Sequence, residues 1–117
     1  MLPKQYRLPL RTELKRIKKE GKLFQGRLFG LLISHQPLAI SPQPSRFAFI
    51  ISTKIHKKAV KRNRAKRLLA AALTEFLPQL RSGSDGVFLA KKTLIEANFS
   101  QIKQEVGLLL KETHLIA

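Results

Sequence analysis

The sequence predicts an α+β fold, a two-layer α/β sandwich in which helices pack on a small, mostly antiparallel sheet. Three observations carry this reading. Apolar residues recur at helical spacing over residues 13–20, 57–80 and 99–113. Between them lie short runs of strand composition, Arg27–Ile33 (RLFGLLI), Arg46–Ser52 (RFAFIIS) and Val87–Ala90 (VFLA). Their order along the chain, α-β-β-α-β-α, interleaves the two kinds of element around one core. With 117 residues and 44% apolar content there is material for one core and too little for two, so 1–117 reads as a single domain.

Residues 1–10 read as an extended basic arm, because Pro3 and Pro9 each deny helix to the residue before them. Thr12 is placed to cap a short helix from Glu13 to about Glu20, and Gly21 ends it. Leu14 and Ile17 form its apolar stripe, ringed by Lys15, Arg16, Lys18 and Lys19. The plain structural reading is an amphipathic helix docked on a sheet with its lysines in water. Arg27–Ile33 reads as a strand covered on both faces. The segment Ser34–Ser45 holds three prolines and interrupts regular structure. In Arg46–Ser52, Phe47, Phe49 and Ile51 point one way and Ala48, Ile50 and Ser52 the other. These two strands are expected to pair antiparallel across the proline segment.

The central stretch, Lys57–Leu80, changes character halfway. Its first eleven residues hold seven bases: Lys57, Lys58, Lys61, Arg62, Arg64, Lys66 and Arg67. Its second half is apolar at helical spacing through Leu68, Leu69, Ala72, Leu73, Phe76, Leu77 and Leu80. The apolar positions share one side of the helix, whereas the bases surround its first turns. Ser82-Gly83-Ser84-Asp85-Gly86 then reads as a turn, with Asp85 as a turn-former. Asn98 or Ser100 caps a last helix from about Phe99 to Thr113, with Phe99, Ile102, Val106, Leu109 and Leu110 as its buried stripe. Gly107 weakens that helix by up to ~1 kcal/mol relative to alanine, which packing can offset.

Charge narrows the partners. The formal net charge is +16, and residues 21–74 carry eleven bases and no acid, while residues 75–117 are balanced. Self-repulsion on that scale destabilises a compact chain unless a polyanion neutralises it. Membrane fits worst, since no apolar run approaches the roughly 20 residues that span a bilayer. The start of the chain lacks an apolar run of signal-peptide length, so the expected setting is the cytoplasm, or an organelle if a transit segment has been lost. There are no cysteines, which removes disulfides and thiolate zinc sites.

Catalytic chemistry is missing. The seven acids are dispersed, and His35, His56 and His114 have no metal-ligand partner at i+3 or i+4. No phosphate loop or nucleophile elbow is present. No metal site or catalytic residue is assigned to the chain, and reacting groups are expected from elsewhere. Lysine and arginine gain affinity for phosphates by counterion release. Arg62 and Arg64 sit roughly 200° apart on the helix with Asn63 between them, which suits a folded RNA wrapping the helix end better than one flat groove. A DNA-reading helix-turn-helix needs a helix just before this one, where a strand is expected. A calmodulin-type target helix matches the composition, but the apolar half is needed for the core.

Lys54-Ile55 followed by Ala59-Val60-Lys61-Arg62-Asn63-Arg64-Ala65-Lys66-Arg67-Leu68-Leu69 resembles the RNR signature of the bacterial ribonuclease P protein family. Tyr6-Arg7-Leu8, the basic helix ending at Gly21, Arg27, Arg46-Phe47 and Ala90-Lys91-Lys92 also fall where that family has similar residues. The resemblance covers nearly the whole chain. It implies a basic protein subunit of a ribozyme that removes the 5′ leader of precursor tRNA, with hydrolysis performed by the RNA subunit and its bound Mg²⁺. Partners would be that RNA and precursor tRNA, with no membrane and no obligate protein partner. By position, Lys57, Lys58, Lys61, Arg62, Asn63, Arg64, Lys66 and Arg67 would bind the RNA subunit. Arg7, Leu14, Lys18, Arg27, Leu32, Arg46 and Lys54 would line the leader site. A left-handed β-α-β crossover around the basic helix is also implied, where handedness rules alone favour the right-handed form. Members often carry aromatics on the first helix and its facing strand. Leu14, Lys18 and Leu32 stand there instead, so leader contact rests more on charge and aliphatic packing. The alternative is a ribosomal protein or RNA chaperone of the same shape.

Overall fold

The computed structural model describes residues 2–36 and 43–117. Helix α1 (Leu10–Glu20) leads into strands β1 (Lys22–Gln25), β2 (Phe29–His35) and β3 (Arg46–Ile50). Helix α2 (Ala59–Thr74), strand β4 (Ser84–Ala90), a short α3 (Thr93–Glu96) and α4 (Phe99–Glu112) complete the chain. The strands form one sheet in the order β1-β2-β4-β3. β2 runs antiparallel to β1 and β4, and β3 runs parallel to β4.

The expected antiparallel pair of β2 and β3 is not formed, because β4 lies between them. Both edges of β2 are taken, by β1 through Lys22↔Ile33 and by β4 through Phe29↔Ala90. A parallel neighbour demands a crossover, which α2 supplies. β3 is apolar on both faces, and pairing with β4 sets Phe47 and Phe49 beside Phe88, with ring centroids 5.8 and 5.5 Å away. β1 was not expected. Its four residues are mostly exposed and become a strand through pairing with β2 rather than through their own pattern.

α1 starts at Leu10, three residues earlier than predicted. Pro9 occupies the N-cap position, and the Thr12 hydroxyl donates back to the Pro9 carbonyl at 3.3 Å. Gly21 is extended, not left-handed, at φ −76°. It is required there by crowding, since a β-carbon would collide with the Ile17 carbonyl and with Leu32. The arm is less extended than predicted: Lys4–Tyr6 make a 3-10 turn, Leu2 and Leu8 are buried, and the Leu8 amide donates to the Phe47 carbonyl. Gly83, at φ +96°, makes the turn before β4. The predicted proline segment Ser34–Ser45 lies partly outside the described residues, and its first two residues belong to β2. Asn98 caps α4 as expected, accepting from the Gln101 amide while the Gln101 side chain accepts from the Asn98 amide.

Most of the core lies between the sheet and α2, α3 and α4, around Phe29, Leu31, Phe47, Phe88, Leu69, Leu73, Ile102 and Leu110. The sheet and these three helices form the two packed layers predicted, and α1 adds a further layer. α1 lies on the opposite face, where Ile17 packs with Leu8, Leu32, Ala48 and Val87. Gly107 has a packing reason: a β-carbon there would stand 3.1 Å from the Phe76 ring, so glycine lets α2 and α4 approach.

Glu105 carries a structural role hidden in the sequence. From α4 its carboxylate accepts the amides of Arg27, Leu28 and Phe29 at 2.9, 2.7 and 3.2 Å, closing the β1–β2 turn. Glu105→Ala strands three donors, and it is expected to cost about 1–3 kcal/mol in urea unfolding. A loss below that of an exposed control such as Glu112→Ala would show that water replaces the carboxylate.

Candidate nucleic-acid interface

The head of α2 is built from bases with no carboxylate among the described residues to neutralise them. Lys57, Lys58, Lys61, Asn63, Arg64 and Arg67 are exposed, and Arg62 and Lys66 half-buried. The first turn has no acid, and no side chain caps it at Lys58. Cations at a helix N-terminus oppose the positive end of the helix dipole, an arrangement that costs a free helix stability and favours an anion. Among the described residues no ion pair reaches any of the seven bases. The ion pairs present lie within α1, link α1, β3 and β4 to one another, or join Lys103 to Glu75.

Arg62 divides its role. Its Nη1 donates to the carbonyls of His56 and Lys57, both at 2.8 Å, so it ties down the loop that enters α2. His56 belongs to the same device: its Nδ1 accepts the Lys58 amide at 3.1 Å. The entry loop is thereby ordered and the lysines around it stay free.

On the other face of the sheet, α1 covers a strip and leaves its border open. Leu10, Leu14, Ile50 and Leu89 are half-buried there, with Leu32 beneath them at 9% exposure. Lys18 and Lys54 are exposed. Arg7 and Arg46 share an open hollow with Lys4, Gln5 and Gln43. Arg27 stands apart from this group. It sits at the β1–β2 turn beside Gln104 and Leu108 of α4, and β1 is the sheet edge farthest from β3. Lys91, named in the resemblance, donates to the Gly26 carbonyl at 2.6 Å and so braces that same turn.

The Arg46 guanidinium, though partly exposed in the hollow it shares with Arg7, is committed to a network centred on a buried carboxylate. The Asp85 side chain is fully buried and accepts Arg46 Nε and Nη2 at 2.9 and 2.8 Å and Arg16 Nη2 at 2.6 Å. Glu13 accepts from both guanidinium groups at 3.2 Å, and Arg16 also donates to the His35 carbonyl. The hydrogen bonds to Asp85, opposed by burial, raise Arg46 above the ordinary guanidinium range, so it remains a cation. Asp85 is therefore no turn residue; it begins the buried part of β4 and is the anion that pins α1 to the sheet. The Glu13/Arg16 spacing hinted at half of this network, but a Ser-Gly-Ser-Asp-Gly string looks the same whether its Asp points outward or inward. Among the described residues no three His, Asp or Glu side chains stand close enough to share a cation. No helix among them is long and apolar enough to cross a membrane.

Comparison with known proteins agrees with this fold. The family described as Ribonuclease P matches residues 2–114. The ribonuclease P protein component of Microcystis aeruginosa is 34% identical over 115 residues, covering 98% of this chain and 96% of that one. The corresponding Synechococcus elongatus protein is 36% identical over 116 residues, covering 98% and 95%. The RNase P protein of Thermotoga maritima superposes with a TM-score of 0.79 at 28% identity, covering 91% and 96%. The Staphylococcus aureus protein shares the fold at a TM-score of 0.83 and 22% identity, over 97% and 100%.

Proposed function

Since the chain belongs to the ribonuclease P protein family, a component of a tRNA-processing ribonuclease, we propose that it works by gripping two RNAs with two surfaces. The head of α2 holds the RNA subunit through Lys57, Lys58, Lys61, Asn63, Arg64, Lys66 and Arg67, with Arg62 fixing the loop that presents them. The border between α1 and the sheet receives the single-stranded 5′ leader of precursor tRNA. Lys18 and Lys54 supply charge there, and Leu14 supplies apolar contact over a floor that includes Leu32. Arg46 acts as scaffold, and Arg7 extends the surface toward the arm. Arg27 is the outlying member. Mg²⁺ bound by the RNA subunit supplies the hydrolytic chemistry, and no side chain of this protein takes part in it.

One observation carries the reading: seven bases crowd a helix start with no carboxylate partner among the described residues, inside a stretch, residues 21–74, that holds eleven bases and no acid. The test is precursor-tRNA cleavage by a bacterial ribonuclease P RNA at low Mg²⁺, with and without the protein. Stimulation is expected; its absence would leave a passive RNA binder. Roles are separated by mutation. Arg64→Ala is expected to weaken association with the RNA subunit. Lys18→Ala is expected to reduce the preference for leader-bearing substrate by about two- to fivefold, the scale of one exposed charge pair. Identical behaviour of the two variants would refute two separate surfaces.

A further inference from the structure

Where the arm meets β3, the edge of the sheet carries a hollow between the two proposed surfaces, sharing Lys66 with one and Arg7 and Leu10 with the other. It has a volume of about 230 Å³, and its walls are Leu2, Leu8, Leu10, Phe47, Ala48 and Phe49. Two cations stand among them, Arg7 from the arm and Lys66 from α2. The volume falls below the ~300 Å³ at which sites for drug-sized ligands begin, which suits one flat heterocycle. Phe49 is half-buried and stacked against Phe88, so its ring is held in place as an aromatic wall.

The backbone adds polar groups at the same spot. β3 is one of the two outer strands of the sheet. The Phe47 carbonyl turns outward, where it accepts the Leu8 amide at 2.9 Å. Backbone groups alternate along a strand, so those of Phe49, two residues on, turn outward too. The arm makes its β-bridge at Phe47. Among the described residues no hydrogen bond from it reaches Phe49. An edge donor and an edge acceptor therefore lie beside an apolar slot rimmed by two cations.

We propose that this hollow receives one unpaired nucleotide of the RNA subunit, with its base against Phe49 and its phosphate between Lys66 and Arg7. The inference rests on the reading that α2 holds that RNA. It deepens that reading, because Lys66 projects from the same helix as Arg64 and Arg67 and a strand passing over them reaches the slot. A strand-adding peptide would use the Phe49 edge but has no need of the two cations. The slot reads base shape and edge, whereas the α2 head reads phosphates.

The test is chemical footprinting of the RNA subunit with dimethyl sulfate and a carbodiimide, which modify unpaired base edges. The RNA is probed alone, with the wild-type protein and with Leu10→Trp, which fills the slot. One unpaired nucleotide is expected to be protected by the wild type and to regain the reactivity of free RNA with the variant, while other protections persist. Affinity should fall roughly fivefold to a hundredfold, the range of one stacked base. Should Leu10→Trp not fold, the absence of native cysteine allows a single Leu10→Cys carrying an azidophenacyl group. Its crosslink is expected on that same nucleotide. Identical footprints for the two proteins, or crosslinks to paired RNA or to precursor tRNA, overturn the slot and leave the α2 reading standing. No protection anywhere on the RNA subunit overturns both.

Discussion

Asp85→Asn is expected to remove about 3–5 kcal/mol of folding stability, the usual cost of breaking a buried ion pair from one side. The side chains are nearly isosteric, so packing changes little. What changes is that Arg16 and Arg46, each 19% exposed at the side chain, face one another without the fully buried carboxylate between them. The variant also gains a unit of positive charge in a chain already at +16. Glu13→Gln removes a carboxylate with 22% of its side chain exposed from the same network, and water can replace it, so its cost should be smaller. Urea unfolding of the three proteins checks this: the midpoint should fall most for Asp85→Asn, with the slope unchanged. An Asp85→Asn variant as stable as Glu13→Gln would mean that the network orders α1 without stabilising it.

The second large effect is on binding. Raising monovalent salt from about 50 to about 200 mM is expected to weaken association with the RNA subunit by about 10³-fold or more, as befits six or more phosphate contacts. Arg64→Ala and Arg67→Ala should each lower the slope of log affinity against log salt by about one unit or slightly less. Neither arginine contacts a carboxylate among the described residues, so thermal unfolding should barely move. Arg62→Ala should differ, losing stability as well as affinity, because its guanidinium holds the His56 and Lys57 carbonyls. A salt slope near zero would mean that apolar contacts dominate, and the charge reading of α2 would be wrong.

Several parts of this molecule were legible before any coordinates, and for a common reason. α2 and α4 declare themselves through apolar residues at helical spacing, and α4 also through the Asn98 cap. The free head of α2 was legible because charge is additive along the chain: eleven bases without an acid over residues 21–74 leave little nearby to pair with. Asp85, one of the seven acids elsewhere in the chain, neutralises Arg16 and Arg46 and not the α2 cluster.

Pairing in space was not legible. The local pattern of β2 and β3 fits an antiparallel hairpin as well as a sheet with β4 between them, and only competition among all the strands chooses. Arg27 and Arg46 look alike in the chain, yet one lies at a far turn closed by Glu105 and the other is locked onto Asp85. Residue type and periodicity thus determined which segments are helix or strand and where positive charge would accumulate, since both depend on neighbours within a few positions. Strand order, the burial of Asp85 and the slot beside Phe49 were decided by tertiary structure, because each depends on groups tens of residues apart that meet only when the core closes.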